Sequence, residues 1–200
     1  MFFEYGGEQI SYLSRRDGKL GEFIAKRGFV ERRVFGDLFE GLCYNIVNQQ
    51  LSMKACDTLW GKIGAEFGEI VPEKMRSAER LKGCGLSQSK AECIARCAEL
   101  FVSGELSEER ARALSDNELT AELTRVKGIG EWTAEMTAIF CLSRQDILSL
   151  SDFGIRKGLS ILHGIDQKDR RAMERFKALY SPYGTVASIY LWEIAAGAAQ

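Results

Sequence analysis

Proline is scarce in this 200-residue chain, with two in all, and histidine occurs once. With so little proline and no low-complexity stretch, a disordered or collagen-like polymer is excluded. The single histidine, His163, has no Cys, Ser or carboxylate at a catalytic or metal-binding spacing, and it is read as a residue at a helix C-terminus. Charge of one sign is missing too: 27 Lys and Arg face 28 Asp and Glu, for a net charge of −1. That balance excludes a polycation acting through bulk charge, but it leaves room for a local basic patch. No apolar run approaches the roughly eighteen residues that a membrane span needs. The start, Met1-Phe2-Phe3-Glu4-Tyr5, lacks the basic and apolar regions of a signal peptide. A cytoplasmic protein is expected, in a bacterium one working at the nucleoid, with no membrane partner and as a monomer.

A CxxC pair is absent as well. The six cysteines are Cys43, Cys56, Cys84, Cys93, Cys97 and Cys141, and only Cys93 and Cys97 are close, at i and i+4. In a chain that is not secreted, disulfides are disfavoured. A cluster needs four grouped thiolates, so no iron–sulfur cluster and no metal site are expected. The cysteines read as small buried hydrophobes. No P-loop and no dinucleotide fingerprint is present.

Helical periodicity is what the chain does have. Between Val34 and Val47 the apolar residues Val34, Phe35, Leu38, Phe39, Leu42, Cys43, Ile46 and Val47 recur in pairs every four residues, one stripe down a helix. Ser52 opens a second helix with Met53, Cys56, Trp60, Ile63 and Phe67 at three-four spacing. Ser89-x-x-Glu92 and Ser115-x-x-Glu118 have the form of capping boxes. Pro72 and Pro182 sit where helices can begin, while Gly61, Gly64, Gly68, Gly83, Gly85 and Gly104 are expected at turns or helix ends. No alternating β pattern appears. The expectation is an all-α fold of about ten helices joined by short loops.

Charge is unevenly spread along those helices. Residues 15–33 carry seven basic side chains against three acidic, and residues 152–180 carry seven against four. Two solvated helix faces would account for that, and so would contact with phosphate. Leu123-Thr124-Arg125-Val126-Lys127-Gly128-Ile129-Gly130-Glu131-Trp132-Thr133-Ala134 places an apolar-Lys-Gly-apolar-Gly turn between two helices, the first ending near Val126 and the second running from about Glu131 to Leu142. Glycines at 128 and 130 permit positive φ and close backbone approach. Amides in such a turn and in the following helical turn are donors that an anion can use. An ordinary αα-hairpin has the same pattern, so both meanings stand on this segment alone.

Past Gly130 comes Leu148-Ser149-Leu150-Ser151-Asp152-Phe153-Gly154-Ile155-Arg156, with Asp152 twenty-two residues beyond that glycine. Together, these two segments resemble the helix-hairpin-helix DNA glycosylase superfamily, and within it the alkylbase branch of 3-methyladenine DNA glycosylases of type II. Asn48-Gln49-Gln50-Leu51-Ser52 and Gly85-Leu86-Ser87-x-x-Lys90 are similar to upstream motifs of that branch, and Pro182-Tyr183-Gly184 through Trp192 to its closing helix. The likeness covers about residues 34–195, with the motifs in order. It implies two helical lobes with the active cleft between them: a helical barrel over 50–148 that contains the hairpin, and a second lobe made from 1–49 and 149–200. Larger bacterial members carry an additional N-terminal sheet domain, and too few residues precede Val34 to hold one.

The resemblance also implies roles. Asp152 stands at the start of a helix, where dipole and amides favour a charged carboxylate. It would stabilise oxocarbenium charge as the C1′–N bond breaks and orient water. Capping its helix is the alternative duty, with Ser151 as a competing cap. Trp132 occupies the place where lyase-competent relatives have the lysine that attacks C1′, so a monofunctional enzyme without AP-lyase activity is expected. Trp132 and Trp192 match pocket tryptophans that would stack on a cationic, flipped base. Phe153 stands where relatives have Tyr or Leu, and Met136 where some have an aromatic; both are candidate pocket residues, with core packing as the alternative. Gln49 or Gln50 would fill the hole left by the flipped base, and Lys127, Gly128, Ile129 and Gly130 would hold phosphate. Gly184 departs from the basic residue often found there. The substrates implied are alkylated purines such as 3-methyladenine and 7-methylguanine in double-stranded DNA, with another lesion (uracil, hypoxanthine or a mispair) or a non-catalytic damage sensor as alternatives. No cofactor is implied, although the superfamily admits a structural monovalent cation at the hairpin carbonyls.

Overall fold

The computed structural model describes residues 1–197. Those residues form twelve α-helices in two compact units, one made of residues 1–34 with the chain from Ser143 onward, the other of residues 35–142. The only strand-like pairing among them is one antiparallel bridge between Phe2 and Arg33.

The second unit holds α3 (Leu38–Asn48), α4 (Met53–Phe67), α5 (Ala78–Gly83), α6 (Gln88–Val102), α7 (Glu108–Ala113), α8 (Asp116–Thr124) and α9 (Glu131–Leu142). Its central helix is α9, buried on nearly all sides from Thr133 to Leu142, as an all-round apolar helix must be. Its polar residues are satisfied internally: Thr137 Oγ1 donates to the Thr133 carbonyl at 2.7 Å and accepts from Asn45 Nδ2 at 3.3 Å. The division falls at 34/35 and 142/143, so α3 lies with the hairpin rather than with the chain ends. The cause is its apolar stripe, in which Phe39, Leu42, Cys43 and Ile46 are buried while α3 packs on α9 and α6. Gly41 permits that approach, since a Cβ there would collide with Cys141 Sγ.

The first unit holds α1 (Gly7–Arg16), α2 (Gly18–Arg27), α10 (Phe153–His163), α11 (Arg170–Tyr180) and α12 (Gly184–Gly197). Here α12 is the central helix, with Thr185 through Leu191 buried without a break. Ser188 Oγ, fully buried, donates within reach of the Ile147 and Gly184 carbonyls, both at 2.9 Å. The most extensive helix pairing in the unit is α10 on α12. Gly158 makes it possible, because a Cβ there would run into the Leu191 backbone.

Several local expectations are revised. Gly61 and Gly64 lie inside α4, and only Gly68 ends it. Pro72 begins a run of turns rather than a helix. Ser115 and Glu118 do form a capping box, but the cap of α6 is Ser87, whose side chain accepts from Lys90 N, and Ser89 is helical.

Candidate functional site

In the first unit, buried Leu148 and Leu150 anchor the segment ahead of α10 in the core. The segment turns through a bond from Asp152 N to the Ser149 carbonyl at 3.2 Å, and Arg156 Nη1 pins the Leu150 carbonyl at 2.8 Å. Asp152 is the N-cap of α10: its Oδ1 accepts from Ile155 N at 2.8 Å. The same oxygen accepts from the indole Nε1 of Trp192 at 2.9 Å. Asp152 and Trp192, forty residues apart in sequence, are thus joined directly, and Asp152 rather than Ser151 caps the helix. Gly154 packs against both; a Cβ there would lie 2.8 Å from Trp192 Cδ1 and 3.1 Å from Asp152 Oδ1. Phe153 points outward with 63% of its surface exposed, which excludes the core-packing alternative for it.

Trp192 is itself gripped. The Arg32 guanidinium lies over its ring, with Cζ 5.5 Å from the centroid. Arg32 Nη2 also donates to Glu193 Oε1 at 3.2 Å, and Arg27 Nη2 to Glu193 Oε2 at 2.8 Å. In the sequence both arginines stand out only as part of the basic segment 15–33. Their relation to Trp192 and Glu193 has no local signature.

In the second unit, the turn between α8 and α9 is closed by Val126 N to the Leu123 carbonyl and Ile129 N to the Val126 carbonyl, each at 3.0 Å. Gly128 adopts φ +105°, and its α-carbon faces α6 so closely that a Cβ would meet Cys93 Sγ at 2.8 Å. Gly130 differs: its φ lies outside the left-handed region and nothing stands within 4 Å of its missing Cβ. Ile129 is 5% exposed, so its side chain packs inward and only its backbone remains at the turn surface. Lys127 is exposed. The N–H groups of Lys127, Gly128 and Gly130 bond to no described residue. Trp132 is half-buried on the first turn of α9, whereas Met136, at 3% exposure, is enclosed in the core.

The two glutamines are distinguished by their backbones. Gln49 Nε2 donates to the Gly128 carbonyl at 3.0 Å and to Thr133 Oγ1 at 2.9 Å, so it ties the end of α3 to the hairpin. Gln50 is exposed and holds φ 56°, a left-handed conformation rarely adopted by a side-chain-bearing residue. Below them, Lys90 Nζ donates to the Val47 and Gln49 carbonyls, both at 2.8 Å, closing the C-terminal end of α3. Burial lowers the Lys90 pKa. The Gly85-Leu86-Ser87-x-x-Lys90 motif contained this residue, but the spacing gave no sign of its partners.

His163, at the end of α10, is paired: Nε2 lies 3.0 Å from Asp17 Oδ2 and 3.3 Å from the Tyr180 hydroxyl. All six cysteines are buried free thiols. Among the described residues no group of three or more His, Cys, Asp and Glu side chains is placed to hold a metal ion, and no helix is long and apolar enough to cross a membrane.

Comparison with known proteins gives consistent matches. The family model for HhH-GPD superfamily base excision DNA repair proteins matches residues 43–182. DNA-3-methyladenine glycosylase 1 of Schizosaccharomyces pombe is 33% identical over 162 residues, spanning 78% of this chain and 71% of that protein. Among solved structures, a DNA-3-methyladenine glycosidase from Bacillus halodurans superposes with a TM-score of 0.85 at 32% identity, over 100% of this chain and 94% of the other. A Schizosaccharomyces pombe 3-methyladenine DNA glycosylase in complex with abasic DNA also gives 0.85, at 29% identity, over 94% and 96% of the two chains.

Proposed function

This chain belongs to the HhH-GPD superfamily of base excision DNA repair proteins, and from that premise we propose that it is a monofunctional DNA glycosylase releasing alkylated purines from double-stranded DNA. The observation that carries the proposal is the Asp152–Trp192 pair at the start of α10, at the position where the family motif expects its carboxylate. 3-Methyladenine and 7-methylguanine in DNA carry a positive charge, so their glycosidic bond is already weakened and the base leaves neutral. Asp152 stabilises the positive charge that develops on the deoxyribose as the C1′–N bond breaks. Water then adds to C1′, its proton passing to the carboxylate and on to solvent, and an abasic site remains. Trp132 in place of a lysine offers no amine for a Schiff base, so the strand stays intact. No cofactor is needed for these steps.

The local geometry supports roles for the site residues in that reaction. Lys127 and the unpartnered amides of Gly128 and Gly130 hold a backbone phosphate, with Ile129 as the buried peg that keeps the turn in shape. Gln50, exposed, is the residue that fills the gap left by the flipped base, while Gln49 is committed to the hairpin. Trp132 and Phe153 supply aromatic surface to the cationic base. Trp192 touches Asp152 directly. Met136, one turn beyond Trp132 on α9, stays in the core and offers the base no open surface. The enzyme works as a monomer in the compartment that holds the DNA.

The test is release of free methylated purines from methylated duplex DNA by the wild type and by Asp152→Asn. Asparagine is as good an N-cap as aspartate, so the variant keeps its helix while losing the charge. Release by the wild type, loss in the variant and strand breaks only after alkali are expected. Equal release by both proteins would reduce Asp152 to a cap. Tight DNA binding with no release from methylated DNA would point to another lesion or to a sensor.

A further inference from the structure

We propose that Arg32 is a positioning residue for Asp152, acting through the indole of Trp192; this rests on the glycosylase reading above. The guanidinium stacks on the ring with Cζ 5.5 Å from its centroid, and the ring's Nε1 donates to Asp152 Oδ1 at 2.9 Å. Arg32 is held at both ends. Its backbone carbonyl accepts from Phe3 N at 2.8 Å, and its Nη2 donates to Glu193 Oε1 at 3.2 Å. Arg32 Nε is buried and has no hydrogen-bond partner among the described residues. A buried donor in that state is costly, so hydrogen bonding alone does not explain why the group sits there. The electron-rich indole face beside it supplies the compensating attraction.

Two consequences reach the carboxylate. The indole carries the guanidinium over its ring and has Gly154 close beside its Cδ1, where a Cβ would stand 2.8 Å away, so its N–H is held toward Asp152 Oδ1. A cation over an aromatic face also draws electron density toward itself, which makes the ring N–H a stronger donor. Arg32 therefore sets both the direction and the strength of a hydrogen bond that fixes Asp152. One face of Trp192 is occupied by a cation, so the indole serves the carboxylate more than it serves a cationic base.

The experiment compares Arg32→Ala, Arg32→Met (which keeps the apolar stem), Arg32→Lys, Trp192→Phe and the Arg32→Ala/Trp192→Phe pair. Three quantities are read for each: the single-turnover rate at saturating enzyme on duplex DNA containing 7-methylguanine, the affinity for duplex DNA containing a tetrahydrofuran abasic site, and solvent exchange of the Trp192 indole N–H by NMR, its signal assigned by loss in Trp192→Phe. Losing the charge is expected to slow the saturated rate roughly tenfold, the scale of about half an ångström of misplacement. DNA affinity should stay within about twofold, since a positioning residue leaves ground-state binding alone. Indole exchange should speed up, Arg32→Lys should recover most of the rate, and the double variant should be no slower than Trp192→Phe. Weakened affinity with an unchanged saturated rate would overturn the proposal in favour of a phosphate contact, and so would additive losses in the double variant. The indole readout needs no activity. Unchanged exchange in Arg32→Ala defeats the clamp even in an active enzyme, whereas a wild type that releases no methylated base defeats the glycosylase reading while faster exchange in the variant still supports the clamp.

Discussion

Gly154→Ala is expected to separate activity from stability. Gly154 is the second residue of α10, and its added Cβ would stand 2.8 Å from Trp192 Cδ1, 3.1 Å from Asp152 Oδ1 and 3.3 Å from Trp192 Nε1. Ordinary carbon–carbon contact begins near 3.5–4.0 Å, so about 0.8 Å must be found. Neither neighbour is the loose end of a flexible chain, because the indole carries Arg32 and the carboxylate caps α10. Overpacking of this kind costs about 1–3 kcal/mol, while replacing a helical glycine by alanine returns about 1 kcal/mol. Net stability therefore changes by about 2 kcal/mol at most. Activity has no such offset. A misplacement of about 1 Å costs on the order of a hundredfold in rate, so single-turnover excision should fall about 10- to 100-fold. Gly61→Ala is the control: inside α4, with nothing within 4 Å of the added carbon, it should raise stability by about 1 kcal/mol and leave excision unchanged. Full excision by Gly154→Ala, measured under single turnover beside a urea unfolding curve, would show that the carboxylate is not held where its geometry suggests.

The neighbouring Gly158 should behave in the opposite way. Its added Cβ meets the Leu191 backbone, with Leu191 Cα at 3.0 Å, so α10 and α12 must part, and a loss of about 2 kcal/mol in urea unfolding is expected after the helix-propensity gain; an unchanged midpoint would contradict the packing. The glutamines should also part company. Gln49→Ala loses two hydrogen bonds to the hairpin, which predicts a loss of about 1–2 kcal/mol in stability and weaker DNA binding by fluorescence anisotropy; Gln50→Ala should leave unfolding untouched and impair excision, and equal effects would remove the distinction. His163 predicts a pH dependence. Burial lowers its pKa and the nearby Asp17 opposes that shift without reversing it, so the unfolded chain binds more protons as pH falls through the ordinary histidine value of about 6.5. Stability is fully present above that value, falls as pH drops through it, and levels off below the depressed folded pKa. His163→Gln should flatten this stretch of the curve, and an unflattened curve would assign it to other groups.

What the sequence made legible was local. The Ser115–Glu118 box, the Ser52 and Asp152 caps and the Leu123–Gly130 turn are all written within a few residues, and each forms where its pattern stands. Ser89-x-x-Glu92 failed because a capping pattern two residues late looks the same; Ser87 takes the position, with Lys90 rather than an acid three residues on. Gly61 and Gly64 were misplaced because a glycine with open space around it is tolerated inside a helix as readily as at its end. Long-range relations left no trace in spacing. The Trp192–Asp152 bond spans forty residues, and the Lys90–Val47 bond forty-three. The membership of α3 was decided by which partner could accept its stripe, and Gln49 and Gln50 were separated by a backbone torsion that neither side chain advertises.

Capping and the proposed catalytic role, set as rivals for Asp152 on sequence grounds, are compatible in one arrangement. A carboxylate that must steady a transient positive charge has to be oriented before that charge appears, since reorganising at the moment of reaction would consume the stabilisation it provides. The cap bond from Ile155 N and the indole bond from Trp192 both end on Oδ1, and two donors arriving on one oxygen fix the plane of the whole group. Removing the charge while keeping the acceptor, as Asp152→Asn does, leaves that scaffold standing; displacing the scaffold while keeping the charge, as Gly154→Ala does, leaves the electrostatics standing in the wrong place. If the proposed reaction holds, both changes are severe, and their combination should cost little more than the worse of the two, because each removes the same stabilisation.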